Sequence, residues 1–228
     1  KPSNIGILMF LVMLGMIVTL MTKSGGSQAY GKWAKKKMKS SKQSLFSTFV
    51  LGVVIFVDDY FNCLTVGSVM REITDEFKVS RAMLAYIIDS TAAPICIIAP
   101  ISSWAAAVSG YTSGDGFQLF LNTIPFNLYA LLTIVMVCYV IKSEFLVGKM
   151  RKHELAAKEG DIHFGDDSYQ TSEEISYNKN GKMIDLILPV IVLIFSCIVG
   201  MIYTGGFFDG KDLITAFSQC EASRGLVY

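Results

Sequence analysis

Charged residues are scarce in this sequence, and they are unevenly spread. They make up 17% of the 228 residues, whereas apolar residues make up 52%; soluble domains carry about 25% charge. Asp89 is the single charge within five apolar segments, which are 3–22, 45–57, 82–108, 117–141 and 186–203. Uncharged runs of about 20 residues match the hydrocarbon core of a bilayer, roughly 30 Å thick. The segregation therefore excludes a soluble globule and a disordered chain, and it predicts a membrane protein.

Cysteine clusters and nucleotide- or zinc-binding motifs are also lacking. The five cysteines are far apart and form no C-x-x-C pair, which excludes a disulfide scaffold and argues against a metal cluster. The motifs of ATPases, dehydrogenases and zinc proteases do not occur. The net charge of +1 gives no reason to expect nucleic acid as a partner. We expect no enzyme activity, no cofactor and no nucleic-acid partner.

Basic residues are concentrated in two loops, 23–43 and 142–185. The first loop contains seven lysines and no acid, and the second begins with a basic stretch. The positive-inside rule assigns both loops to the cytoplasm. The apolar segment 3–22 is followed by lysines instead of a small-residue cleavage site, so it predicts a spanning helix and not a signal peptide.

The number of crossings between the two basic loops points to a segment that does not cross. Both loops lie on one side only if an even number of crossings separates them, yet three apolar segments lie between. Segment 45–57 has 13 residues, which reach about 20 Å as a helix, and Asp58 and Asp59 follow it directly. We predict a re-entrant hairpin over 45–70, with its tip near 58–62, because a turn at membrane depth is tolerated when protein or a watery cavity surrounds it.

Segment 82–108 shows the opposite anomaly, since it is longer than a straight crossing requires. Its middle contains Asp89, Pro94 and Pro100. Proline removes a helix hydrogen bond and disfavours helical geometry in the preceding residue, so we predict a broken helix. Two interrupted segments of this kind are typical of secondary transporters, whose ion sites lie at half-helix ends.

Hard oxygen ligands accumulate around these predicted breaks. The candidate cation- and proton-binding residues are Asp58, Asp59, Asn62, Thr65, Asp89, Ser90 and Thr91. We expect the transported Na⁺ on the carboxylates of Asp58, Asp59 and Asp89, because a cation and a proton compete for one negative charge. Such competition is the basis of an antiport mechanism.

Each candidate residue also has a purely structural interpretation. The amide and hydroxyl groups could cap half-helices or form hydrogen bonds between helices. Adjacent helical positions differ by about 100°, so both Asp58 and Asp59 address one ion only if the backbone turns there. Otherwise one of them could pair with Arg71 or Arg81.

Residues 56–110 resemble a known family. They contain the run DDYFNCLTVGSVMR followed by LAYIIDSTAAP, which is similar to the motif of NhaC-type Na⁺/H⁺ antiporters. The residues that match the motif are Asp58, Asp59, Tyr60, Asn62, Arg71, Asp89, Ser90, Thr91 and Pro94. The resemblance covers about a quarter of the chain and implies a fold of two inverted repeats that exchanges Na⁺ for H⁺.

These observations predict an all-α, multi-pass protein of the bacterial inner membrane, with lipid, Na⁺ and H⁺ as partners. It would have about four spanning helices, a re-entrant hairpin and one broken helix. Residues 1–141 form a transport repeat, 142–185 a cytoplasmic linker and 186–228 the start of a second repeat. The family's chains are about twice as long, so we expect a piece of a longer polypeptide; a complete chain would require a homodimer.

Two other functions stay open. The first is a Na⁺-coupled exchanger of carboxylates such as malate or lactate, although the sequence offers no intramembrane Lys or Arg to bind the anion. The second is a non-transporting scaffold or degenerate paralogue. Asp89 argues against the scaffold, because it has no basic residue within its own apolar segment.

Overall fold

The computed structural model of the chain describes residues 9, 12–13, 15–17, 19–21, 23–56, 58–100, 102–109, 116–162, 164 and 178–218. Within these residues the fold is all-helical and contains no strand, which confirms the predicted all-α class for that part. The α-helices in chain order are α1 (Gly26–Lys37), α2 (Ser41–Val54), α3 (Asp59–Glu76), α4 (Arg81–Cys96), α5 (Ser103–Ser109), α6 (Gly116–Thr123), α7 (Leu128–Ser143), α8 (Gly148–Glu159), α9 (Ile184–Thr204) and α10 (Leu213–Ser218).

Polar capping residues determine where α2, α3 and α4 begin. Ser40, Asp58 and Ser80 precede these helices, and each side chain accepts a hydrogen bond from the backbone N–H three residues further along. A cap satisfies one of the amide groups that the first helical turn leaves unpaired, at about 1 kcal/mol each. These helix starts are therefore set by local sequence and not by the edges of the apolar segments.

Helix α4 lies at the centre of the described fold and contacts α2, α3, α7 and α8. One buried apolar cluster joins α1, α3 and α9 and includes Ala34, Phe61, Met70, Ile73 and Leu186. A second cluster joins α2, α4 and α7 and includes Leu45, Met83, Ile87, Val137 and Ile141. The α3–α4 interface lies between the two clusters, and it carries most of the candidate site.

Helices α2 and α3 form a helical hairpin whose turn lies between Val54 and Asp59. The helices pack against each other, and Asp58 has an extended backbone, with φ −149° and ψ 137°. The hairpin runs from Ser41 to Glu76 and so exceeds the predicted 45–70 at both ends, because capped helices continue into polar sequence. Its re-entry into a membrane stays a prediction.

The predicted broken helix, 82–108, consists of α4 and α5 with a break between Cys96 and Ser103. Pro94 lies inside α4, which continues to Cys96, so the break begins after Pro94 rather than at it. In this last turn the missing N–H removes only the helix bond to the carbonyl of Ser90. Pro100 lies within the break.

Residues 117–141, which we predicted as a spanning helix, are bent. Helices α6 and α7 meet at an angle of 50° around a 3₁₀ turn, Ile124–Phe126. Pro125 in this turn has no N–H to donate. Asn127 starts α7 by accepting a hydrogen bond from the backbone N–H of Ala130 at 3.2 Å. Pro125 and Asn127 therefore indicate a bend that a hydropathy profile does not show.

Helix α9, with 21 residues, is the described helix that is long and apolar enough to cross a membrane. The bent pair α6 and α7 supplies a second span if it is counted as one. The prediction of about four spanning helices is thus supported only in part. Much of 3–22 lies outside the described residues, and 82–108 is divided between two helices, of which α4 has only 16 residues.

The predicted cytoplasmic linker, 142–185, begins with a packed helix. Helix α8 contacts α4, and Glu154 and Ala157 are buried there. Glu154 Oε2 accepts a hydrogen bond from the backbone N–H of Ser80 at 3.1 Å, so a negative charge lies at the positive end of α4. Residues 163 and 165–177 of this segment lie outside the described residues, as do 219–228 of the predicted second repeat.

Candidate ion-binding site

Asp58 connects the two helix breaks. Its Oδ1 accepts a hydrogen bond from the backbone N–H of Phe61 at 2.9 Å, which caps α3. Its Oδ2 accepts a hydrogen bond at 3.0 Å from Ser103 Oγ, 45 residues further along the chain and at the start of α5. The side chain of Asp58 is only 5% exposed. A buried carboxylate therefore lies where the α2–α3 hairpin meets the α4–α5 break.

Asp59 has different surroundings from its neighbour. It is the first residue of α3 and is partly exposed. In the described part of the chain, neither Asp58 nor Asp59 forms an ion pair. Arg81 pairs instead with Asp75, with 2.5 Å between Nη2 and Oδ2. The structure therefore does not support the interpretation in which Arg81 holds one of the two carboxylates.

Arg81 belongs to the polar stretch 71–81, which joins α3 to α4. Burial lowers the pKa of its guanidinium, and the Asp75 carboxylate counteracts part of that effect. Arg71 is exposed on α3. The arginines of this stretch thus act at one end of the helices, whereas Asp58 and Asp59 lie at the break between α2 and α3.

Asn62 closes the C-terminal end of α2. Its Nδ2 donates to the carbonyl oxygens of Gly52 at 2.6 Å and Ile55 at 2.7 Å. Because both neighbours are acceptors, the nitrogen of the amide must face them and Oδ1 must face away. The predicted capping role of Asn62 is therefore observed, but it occupies only half of the amide group.

In the first two turns of α3, two buried oxygens have no hydrogen-bond partner among the described residues. They are Asn62 Oδ1 and Thr65 Oγ1, whose side chains are 0% and 1% exposed. Residues three apart lie on the same face of a helix. A buried polar atom without a partner costs about 1–3 kcal/mol, so a pair on one face is a signal that a ligand supplies the missing contact.

Thr91 on α4 approaches the same region. It is fully buried, and its hydroxyl donates to the carbonyl oxygen of Ile87 at 2.7 Å. A Cβ placed on Gly52 would lie 2.7 Å from Thr91 Oγ1 and 3.8 Å from Asn62 Oδ1. The absence of a side chain at Gly52 therefore lets α4 approach α2 so closely that Thr91 Oγ1 packs against the glycine. Because the Thr91 proton is already committed, its oxygen is available as a cation ligand.

Asp89 and Ser90 lie on different sides of α4, because successive residues of a helix differ by about 100° around its axis. Ser90 is buried at 8% exposure, whereas Asp89 is exposed on the described surface. The carboxylates of Asp58, Asp59 and Asp89 all act electrostatically on the Cys63 thiol of α3. Among the described residues they do not converge into a group that could hold a metal ion.

The side chain of Ser102, which lies in the α4–α5 break, forms hydrogen bonds that hold the break together. Ser102 Oγ donates to the carbonyl oxygens of Cys96 at 2.6 Å and Ala99 at 3.0 Å. It also accepts from the backbone N–H of Ala105 at 3.1 Å, which caps α5. The single proton of this hydroxyl is shared between two carbonyls and its oxygen accepts one hydrogen bond, so the hydroxyl holds the break both as donor and as acceptor.

Three residues that shape the site are not among the site residues predicted from the sequence. They are Gly52, Ser102 and Ser103. A signal existed for the two serines, because they follow Pro100 and precede a helical run, as N-cap residues do. Gly52 carries no such signal. Its importance comes from the approach of α4, which only the three-dimensional structure gives.

Comparison with known proteins gives two findings. A sequence model described as the Na⁺/H⁺ antiporter family matches residues 84–228, which begins after Asp58, Asn62 and Thr65 and includes Thr91. A protein of Haemophilus influenzae described as "Uncharacterized protein" is 38% identical over 241 residues, covering 99% of this chain. The chain spans 45% of the length of that relative. No solved structure matches the chain.

Proposed function

Because this chain belongs to the Na⁺/H⁺ antiporter family, we propose that it forms part of an NhaC-type transporter that exchanges Na⁺ for H⁺. The transporter lies in the plasma membrane as a multi-pass protein, with residues 23–43 and 142–185 in the cytoplasm. Its partners are the lipid bilayer, Na⁺ and H⁺. It needs no cofactor, since the exchange involves no covalent chemistry.

The burial of Asp58 at the junction of two helix breaks is the observation that carries the proposal. Removing a carboxylate from water disfavours its charged form, whereas a bound cation favours it, so H⁺ and Na⁺ bind in mutually exclusive fashion. If only the loaded forms change access, an inward proton gradient drives Na⁺ outward.

The neutral oxygens supply the remainder of the cation's coordination. Asn62 Oδ1, Thr65 Oγ1 and Thr91 Oγ1 are hard oxygen ligands of the kind that suit a hard cation. Two of them are buried without a hydrogen-bond partner in the described part of the chain. Under this proposal Asp58 carries the exchanged charge, and Asp59 and Asp89 attract cations towards it.

Replacement of Asp58 by asparagine gives a sharp test. Asparagine is as good an N-cap as aspartate, so Asp58→Asn removes the charge while it preserves the start of α3. In everted vesicles that contain the full-length gene product, a pH dye follows alkalinisation of the acidified lumen after NaCl, LiCl, KCl or choline chloride is added. We expect a Na⁺ response in the wild type and its loss, by at least about tenfold, in Asp58→Asn.

Asp89→Asn is the matched control, since it removes a carboxylate that faces outward from the same region. We expect it to retain most of the exchange and to raise the Na⁺ concentration required for half-maximal response. Full exchange in Asp58→Asn with a loss in Asp89→Asn would transfer the central role to Asp89. A wild type without a Na⁺ response would overturn the antiporter proposal.

The two alternative functions give different results in the same vesicles. A carboxylate exchanger would respond to Na⁺ only when malate or lactate is also present. A non-transporting scaffold would give no flux of Na⁺, protons or carboxylates under any of these conditions.

A further inference from the structure

A surface groove lies between the start of α2 and the end of α7. Its volume is about 660 Å³. Three exposed lysines form its rim, and an apolar floor lies beneath them. The rim consists of Lys37, Lys42 and Lys142, and the floor includes Phe46, Val50 and Ile141.

The lysines of the groove outnumber the carboxylates that pair with them in the described part of the chain, so the groove has a net positive charge. Lys42 Nζ lies 3.2 Å from Glu144 Oε1 and donates to the carbonyl oxygen of Lys142 at 3.2 Å. Glu144 also faces Lys158, at 3.8 Å. One carboxylate is thus shared between two lysines, which leaves the ammonium groups of Lys37 and Lys142 to attract an anion.

An apolar stripe on α2 leads away from the lysine rim. Phe46, Val50 and Val54 are 55%, 41% and 54% exposed. They recur every four residues, so they lie along one side of α2 over about 12 Å. The stripe runs from the lysines, which the positive-inside rule assigns to the cytoplasmic surface, towards the hairpin break.

We propose that this basic groove binds an anionic diacyl phospholipid of the cytoplasmic leaflet. The phosphate group contacts the lysine rim, and one acyl chain lies along Phe46, Val50 and Val54. Basic groups at the cytoplasmic surface attract anionic lipid, and the apolar floor distinguishes a lipid from a free phosphate ion. The site is separate from Asp58 and does not depend on which ion the transporter moves.

Native mass spectrometry of the full-length protein in detergent tests the proposal, with phosphatidylglycerol and phosphatidylcholine as competing probes. We expect the wild type to retain phosphatidylglycerol preferentially. The triple variant Lys37→Gln/Lys42→Gln/Lys142→Gln should bind it about tenfold more weakly. A control with the same charge change outside the groove, Lys149→Gln/Lys152→Gln/Lys179→Gln, should stay within about twofold of the wild type. Equal losses in both variants would overturn the site.

Three further measurements distinguish a bound lipid from other occupants of the groove. Millimolar inorganic phosphate should fail to displace phosphatidylglycerol, whereas displacement would show that the rim binds a free anion.

Phe46→Glu places a charge on the floor and should weaken lipid retention, while size-exclusion profiles check that the variant is folded. If a spin label on Phe46→Cys is equally immobile with and without lipid, protein covers the groove and the proposal is wrong.

Discussion

The two helix breaks that meet at Asp58 are closed in different ways. Between Cys96 and Ser103, Ser102 uses its hydroxyl both as donor, with one proton shared between two carbonyls, and as acceptor from Ala105. At 55–58, Asn62 satisfies two carbonyls and leaves Oδ1 buried without a partner in the described part of the chain. One break is thus self-contained, whereas the other keeps an unused acceptor. The first break therefore serves the fold, whereas the second has an oxygen that the proposed Na⁺ site can use.

Asn62→Ala should give the largest loss of stability. It leaves the carbonyl oxygens of Gly52 and Ile55 buried without donors, which costs about 2–4 kcal/mol. Asn127→Ala is the matched control, because it removes only the cap of α7 at about 1 kcal/mol. Thermal unfolding of the detergent-solubilised full-length protein measures both. Equal effects would show that Asn62 is an ordinary cap, and the comparison of the two breaks would fail.

Gly52→Ala should have the next largest effect. The new Cβ would lie 2.7 Å from Thr91 Oγ1, and overpacking of this kind costs about 1–3 kcal/mol. At Gly67 the nearest atom to an added Cβ is Ile88 Cδ1 at 3.8 Å, so Gly67→Ala should be neutral or stabilising by up to about 1 kcal/mol. The double variant Gly52→Ala/Thr91→Ala should recover part of the loss; additive losses would contradict the contact.

Ser102→Ala tests the self-contained break. It removes the cap of α5 and the donor that the carbonyl oxygens of Cys96 and Ala99 share, at about 1–3 kcal/mol, but it touches none of the proposed ligands. The apparent affinity for Na⁺ in the vesicle assay should therefore equal that of the wild type. A large rise in the Na⁺ concentration for half-maximal exchange would mean that this break also contributes to binding.

Thr65→Val should have the smallest effect on the free energy of unfolding, but it should weaken Na⁺ binding. Valine has nearly the shape of threonine, and the lost hydroxyl oxygen has no partner in the described part of the chain, so the free energy of unfolding should stay within about 0.5 kcal/mol. The Na⁺ requirement for exchange should rise several-fold. Lower stability with unchanged Na⁺ dependence would identify Thr65 as a packing residue.

Much of the local structure could be predicted from the sequence. The hairpin and the interrupted segment follow from short apolar runs, prolines and the pair Asp58–Asp59. The oxygen-bearing residues of the site could be recognised as a set, because uncharged segments make polar side chains conspicuous. Helix ends were less accurate, since hydropathy marks apolar depth whereas caps such as Ser40 and Ser80 mark where a helix starts.

The rotation of α4 could not be predicted from its sequence. Its apolar residues surround the helix almost evenly, so no amphipathic face indicates which side turns inward. The sequence predicts Asp89 as a Na⁺ ligand along with Asp58, yet Asp89 is exposed on the described surface while its neighbours Ser90 and Thr91 are buried. A step of about 100° per residue separates the three, and only packing against α2 and α3 determines which of them faces the site.

The hydrogen bond between Asp58 and Ser103 makes the site a product of tertiary folding. Its two partners are 45 residues apart, so neither segment alone holds the arrangement. A ligand that binds only the docked form stabilises that form by mass action. Sodium would then act as a folding ligand, and its concentration during membrane insertion would influence how many molecules reach the state in which the two breaks are joined.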